Sequence, residues 1–130
     1  MDAVCDEKET VLVIDDEEMV EEMIEALVEA HRCAHVSFNN PAEALRYYEE
    51  NSRKITLMIT DLTMPSLSGA DLIRNVLRIN PQLPVILVTG YLNEQISAGI
   101  PPLVRRILTK PFMKSELLDA VRTAYDKARS

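Results

Sequence analysis

The chain has 130 residues, 47% of them hydrophobic, which is enough for one core and leaves no room for a second domain. Its formal net charge is −7, with Glu17, Glu18, Glu21, Glu22, Glu25 and Glu29 in one segment; direct nucleic-acid binding, which needs a basic face, is therefore not expected. No apolar run reaches the roughly 18 residues of a membrane span, and MDAVCDEKET lacks the parts of a signal peptide, so a soluble cytoplasmic protein without membrane association is expected.

Residues 1–9 read as an N-terminal extension and 10–130 as the single domain. Cys5 and Cys33 form no CxxC or Cys/His cluster, so both are expected as reduced structural thiols. TVLVIDD, 10 to 16, is a short β-branched run ending in two aspartates, the pattern of a strand buried on both faces. From Glu18 to about Ala30, Val20, Met23, Ile24, Leu27 and Val28 recur at three- and four-residue spacing and predict a helix with one stripe on the core. The glutamates then form its solvated face, with magnesium buffering or an acidic-tail role as the alternative.

AHVSF, 34 to 38, predicts a second strand, and Asn40, Pro41 and Glu43 supply an N-cap, an N1 proline and an N3 acid for a helix through about Glu50. ITLMIT, 55 to 60, is a third strand, followed by a helix from near Ser68, where Ser68 to Asp71 resembles a capping box. PVILVTG, 84 to 90, is a fourth strand and LVRRILT, 103 to 109, a fifth. Between them NEQISAGIPP allows only a short helix, because Gly99, Pro101 and Pro102 end it. Ser115 is placed to cap a last helix that turns Leu117, Leu118, Val121 and Tyr125 inward. Strands alternating with helices imply an α/β domain with right-handed crossovers and a parallel sheet covered on both faces.

In open α/β sheets ligands bind beyond the carboxyl ends of the strands. Those ends carry Asp15 and Asp16, Asp61, Thr89 and Lys110, while the second strand ends in Asn39 and Asn40. Each has a plain structural explanation: an aspartate can cap a helix or open a turn, Thr89 can be an ordinary strand residue and Lys110 a surface lysine. Gathered at one edge, they have a chemistry. Three carboxylates repel, so the cluster holds a proton or a cation, and magnesium suits oxygen ligands while keeping waters of its own. A carboxylate can also attack phosphorus, provided cations and donors neutralise the phosphoryl oxygens. Lys110, Thr89 and magnesium would supply that neutralisation.

The acidic pair in VIDDE, DLTMPSLSG around Asp61, VTG, and LTKPF together resemble the receiver domain of two-component response regulators, over about Thr10 to Ala128. The resemblance implies a flavodoxin-like (CheY-like) doubly wound sandwich with strand order 2-1-3-4-5. It implies that Asp61 is the phosphoacceptor, that Asp16 binds magnesium with support from Asp15, and that the Thr63 carbonyl completes the protein ligands. Thr89 would be the switch hydroxyl, Lys110 the phosphoryl-binding lysine, and Pro111 the proline whose bond is typically cis. A histidine kinase or histidine phosphotransfer protein would donate the phosphoryl group, docking in part on Met19, Val20 and Met23, of which Val20 and Met23 equally belong to the helix stripe. Phosphorylation would shift the face made by the fourth helix, fifth strand and fifth helix, through which a homodimer could form.

Two features depart from the family pattern. Ile107 stands where a Tyr or Phe usually partners the switch threonine, and the segment after Asn93 is too short and proline-bound for an ordinary fourth helix. Tyr91 occupies a position that in the family influences water access, or is an exposed loop tyrosine. Arg105 and Arg106 could pair with acids of a partner. An aspartate-nucleophile phosphatase of the haloacid dehalogenase type is the enzymatic alternative, but Thr63 stands where its second acid would be. A binding module that no longer accepts phosphate is the other, and would require loss of a site residue. The VTGY and LTKPF wording resembles receivers of hybrid histidine kinases, against which stands a free-standing regulator.

Overall fold

The computed structural model describes residues 10–15, 34–61, 69–90, 98, 100, 104, 106–110 and 112–129. In chain order these form β1 (Thr10–Ile14), β2 (Ala34–Phe38), α1 (Pro41–Asn51), β3 (Ile55–Asp61), α2 (Gly69–Ile79), β4 (Val85–Thr89), β5 (Arg106–Thr109) and α3 (Lys114–Arg129). The helix expected at 18–30, nearly all of the short one expected after Asn93, Ser68, Cys5 and Cys33 lie outside the described residues. Among the described residues no helix is long and apolar enough to cross a membrane.

The five strands pair in parallel in the order β2-β1-β3-β4-β5, the doubly wound, flavodoxin-like order that the sequence resemblance implies. Parallel pairing explains why β1, β3 and β4 read as nearly unbroken apolar runs: both faces of the sheet are covered, so successive side chains are all buried. Alternation divides them into two layers. Val11 and Val13, with Leu57, Ile59 and Leu108, pack with Leu117, Ala120 and Val121 of α3. Leu12 and Ile14, with Met58 and Leu87, pack with Ala44 and Tyr48 of α1 and with Leu72, Ile73, Val76 and Leu77 of α2.

The β1–β3 register slips once, Thr10 pairing with Ile55 but Val11 with Leu57. Thr56 is the extra residue, and the slip reverses the alternation so that Ile55 joins Met58 in the α1/α2 layer.

Helix ends follow local chemistry. The Asn40 side chain accepts from the Ala42 and Glu43 N–H groups at 2.8 and 3.3 Å, the expected N-cap. The last helix differs from expectation at its start. Ser115 is already helical, and the Glu116 carboxylate reaches back to accept from the Met113 N–H at 2.9 Å, so the acid and not the serine secures this end. Ala120 takes an inward place and Leu118 is only half-buried. β4 begins at Val85 because Pro84 has no N–H to give the ladder, although its carbonyl accepts from Met58 N at 3.0 Å. β5 is shorter than expected, starting at Arg106 with Val104 outside regular structure.

Tyr48 is the largest fully buried side chain. Burial pushes its hydroxyl above the ordinary value of 10.0, and the facing Asn80 side chain pulls the other way without closing a hydrogen bond of good geometry. Tyr48→Ala should cost about 3–5 kcal/mol in urea unfolding by leaving a large cavity. Tyr48→Phe should be neutral or stabilising by up to about 1 kcal/mol, since only a poorly satisfied hydroxyl is lost. Because the folded pKa lies above the unfolded one, the native state keeps its proton longer. Wild-type stability should therefore be intact below pH 10 and fall as pH rises beyond it, and Tyr48→Phe should lack that share of the fall.

Candidate functional site

Sheet register alone brings four of the predicted residues to one edge. Ile14 pairs with Thr60 and Asp61 with Val88, so Asp15 and Asp61 end adjacent strands while Thr89 lies one residue further along β4. Thr89 pairs with Thr109, which places Lys110 just beyond the end of β5. Backbone bonds extend two of these strands past their last residue. Asp15 N–H donates to the Phe38 carbonyl at 3.1 Å, and Lys110 N–H to the Thr89 carbonyl at 2.7 Å. The acid and the lysine thus leave the sheet from fixed backbone positions.

Alternation also decides which side chains meet. Asp15, Asp61 and Lys110 continue the face of Val13, Ile59 and Leu108, the face covered by α3. Thr89 continues the opposite face, that of Leu87. There Ile107, like Ile100 and Val104, is a partly buried side chain packed against the α1/α2 core.

Asp15, Asp61 and Thr89 retain 1%, 5% and 2% of their exposure, and the Lys110 side chain 10%. Lys110 Nζ lies 2.8 Å from Asp61 Oδ2 and 3.4 Å from Asp15 Oδ2, so one ammonium serves two carboxylates. At an effective dielectric of 20, a pair about 4 Å apart gains roughly 4 kcal/mol, and taking each ion out of water costs several. Both acids face this one ammonium.

The donor set fits magnesium: hard carboxylate oxygens at a protein edge, few enough that the ion would keep waters. Among the described residues no group of three or more His, Cys, Asp or Glu side chains is gathered for a metal, and Asp16 and Thr63, the other expected ligands, lie outside them. So do Pro111, Tyr91, Arg105 and the docking candidates Met19, Val20 and Met23.

Two contacts are not evident from sequence. Thr60, wholly buried, donates its hydroxyl to the Asp61 carbonyl at 3.0 Å; a threonine inside a β-branched run carries no signal of that bond. Arg106, considered as a contact for a partner's acids, is engaged within the chain, pairing with Asp119 of α3 at 2.9 Å. The pair is exposed enough that it contributes at most about 1 kcal/mol.

The family model of the response regulator receiver domain matches residues 11–122. The chain belongs to this family. Sensor kinase CckA of Brucella abortus is 28% identical to it over 119 residues, 91% of this chain and 13% of CckA. The C4-dicarboxylate transport transcriptional regulatory protein DctD of Rhizobium meliloti is 31% identical over 127 residues, 92% of this chain and 26% of DctD. This chain therefore spans about a quarter or less of these two relatives. A response regulator receiver domain protein from Clostridium thermocellum superposes with a TM-score of 0.80 at 30% identity, covering 93% of this chain and 97% of that one. Receiver domains are signalling phosphoacceptors of two-component systems rather than typical enzymes, which sets the phosphatase alternative aside.

Within this receiver domain the shared ammonium predicts strong coupling. In a double-mutant cycle on urea unfolding, Lys110→Met and Asp61→Asn should be non-additive by about 1–3 kcal/mol. Lys110→Met alone should be the more destabilising, because it leaves two buried carboxylates facing each other.

Proposed function

We propose that this receiver domain accepts a phosphoryl group on Asp61 with magnesium bound beside it, and passes the change to its output surface. The observation that carries the reading is the Lys110 ammonium at 2.8 Å from Asp61, beside a second buried acid at the carboxyl edge of the sheet.

An oxygen of the Asp61 carboxylate attacks phosphorus as the bond to the donor's histidine nitrogen breaks, and the imidazole leaves with that electron pair. Lys110 turns its charge to a phosphoryl oxygen, and the Thr89 hydroxyl donates to another. Asp15, Asp16, Asp61 and the Thr63 carbonyl would hold magnesium, which would supply the remaining neutralisation of phosphoryl charge. The donor is a histidine kinase or a histidine phosphotransfer protein in the cytoplasm, docking on the segment with Met19, Val20 and Met23. Net charge of −7 supports a protein partner over nucleic acid. Output runs through the face made by the fourth helix expected after Asn93, β5 and α3, where a homodimer would also form. Ile107, packed against the α1/α2 core and without an aromatic ring, would take up a shift of Thr89 by its bulk.

Incubation with acetyl phosphate and magnesium should add the mass of one phosphoryl group in intact-mass measurement. Asp61→Asn should abolish the gain, and Lys110→Met should slow it by about 10²-fold. No gain in a folded wild type would favour a binding module instead, and gain surviving in Asp61→Asn would move the acceptor elsewhere.

A further inference from the structure

The Thr60 side chain has no exposure, and alternation puts it in the apolar α1/α2 layer, between Ile14 on β1 and Leu87 on β4. A hydroxyl in such a place costs free energy unless it is bonded, and a valine of the same shape would fill the space without that cost. The hydroxyl is directed instead at the carbonyl of the next residue, 3.0 Å away, and that residue is Asp61.

We infer that Thr60 is a positioning residue for Asp61, a role that rests on Asp61 being the phosphoacceptor. Asp61 is the last residue of β3. The bond from Thr60 fixes the peptide plane on the carbonyl side of Asp61. With that plane held, the Asp61 Cα–Cβ bond keeps one direction and the carboxylate stays at the Lys110 ammonium, 2.8 Å away. A reacting group displaced by about 1 Å can lose of order 10²-fold in rate, so loss of one such tether should cost a smaller but measurable part.

The test compares wild type, Thr60→Val and Thr60→Ser for the rate of phosphorylation by acetyl phosphate at saturating magnesium, alongside the Asp61 carbonyl ¹³C shift. Thr60→Val keeps the shape and removes the donor; it should be about tenfold slower and should move the carbonyl shift. Thr60→Ser keeps the donor and should restore both. If Thr60→Val does not fold, Thr60→Ala removes the same donor and takes its place. A valine variant as fast as wild type overturns the inference, as does equal slowing in the serine variant, which would assign the effect to side-chain packing at this position and not to the hydroxyl. Wild type that gains no phosphoryl group, or an Asp61→Asn control that still does, overturns the phosphoacceptor reading itself and the inference with it.

Discussion

Two carboxylates and one ammonium, nearly out of water at the end of a parallel sheet, set the terms for this domain. Asp15 and Asp61 are each almost fully buried, and Lys110 reaches both. Such a triad is a poor device for stability, since desolvation of three charges weighs against the Coulombic gain of their contacts. Buried carboxylate oxygens suit a small hard cation, and a cation beside a carboxylate is what would let it approach a phosphoryl group.

The sheet makes this arrangement by register rather than by local sequence. Parallel pairing starts every strand at one edge and ends it at the other, so residues far apart in the chain finish side by side. Lys110 and Asp61 are 49 residues apart and in contact. Backbone bonds running one step beyond β1 and β5 hold Asp15 and Lys110 as firmly as if they were strand residues. Because ladder bonds fix the backbone, the side chains meet without a long search through conformations.

The same alternation separates the charged group from Thr89. Asp15, Asp61 and Lys110 continue the α3 face, whereas Thr89 continues the face on which Ile107 packs against the α1/α2 core. A pull on Thr89 would therefore be felt first in the α1/α2 layer. An isoleucine there offers bulk but no hydroxyl and no flat ring, so the proposed coupling on this face would be steric. On the other face Arg106 and Asp119 tie β5 to α3, and through β5 the same strand carries Lys110.

Much of this was legible in the residues. Apolar runs ending in acids, the Asn40-Pro41 cap and the strand–helix alternation determine an α/β sandwich with its polar residues at one edge, because side-chain period and capping chemistry are local properties. The motif set around Asp61 and Lys110 was sufficient for the family. What only the tertiary structure decided depends on contacts between distant segments. The slip at Thr56 that turns Ile55 to the other face is one example, since it exists only relative to β1. The choice of Glu116 over Ser115 at the start of α3 is another, because either could cap and backbone geometry selects. The Thr60 hydroxyl on the Asp61 carbonyl and the Arg106–Asp119 pair belong to the same class. Sequence determines which groups a chain can offer; register and burial determine which of them meet, and at the carboxyl edge that meeting is one ammonium between two acids.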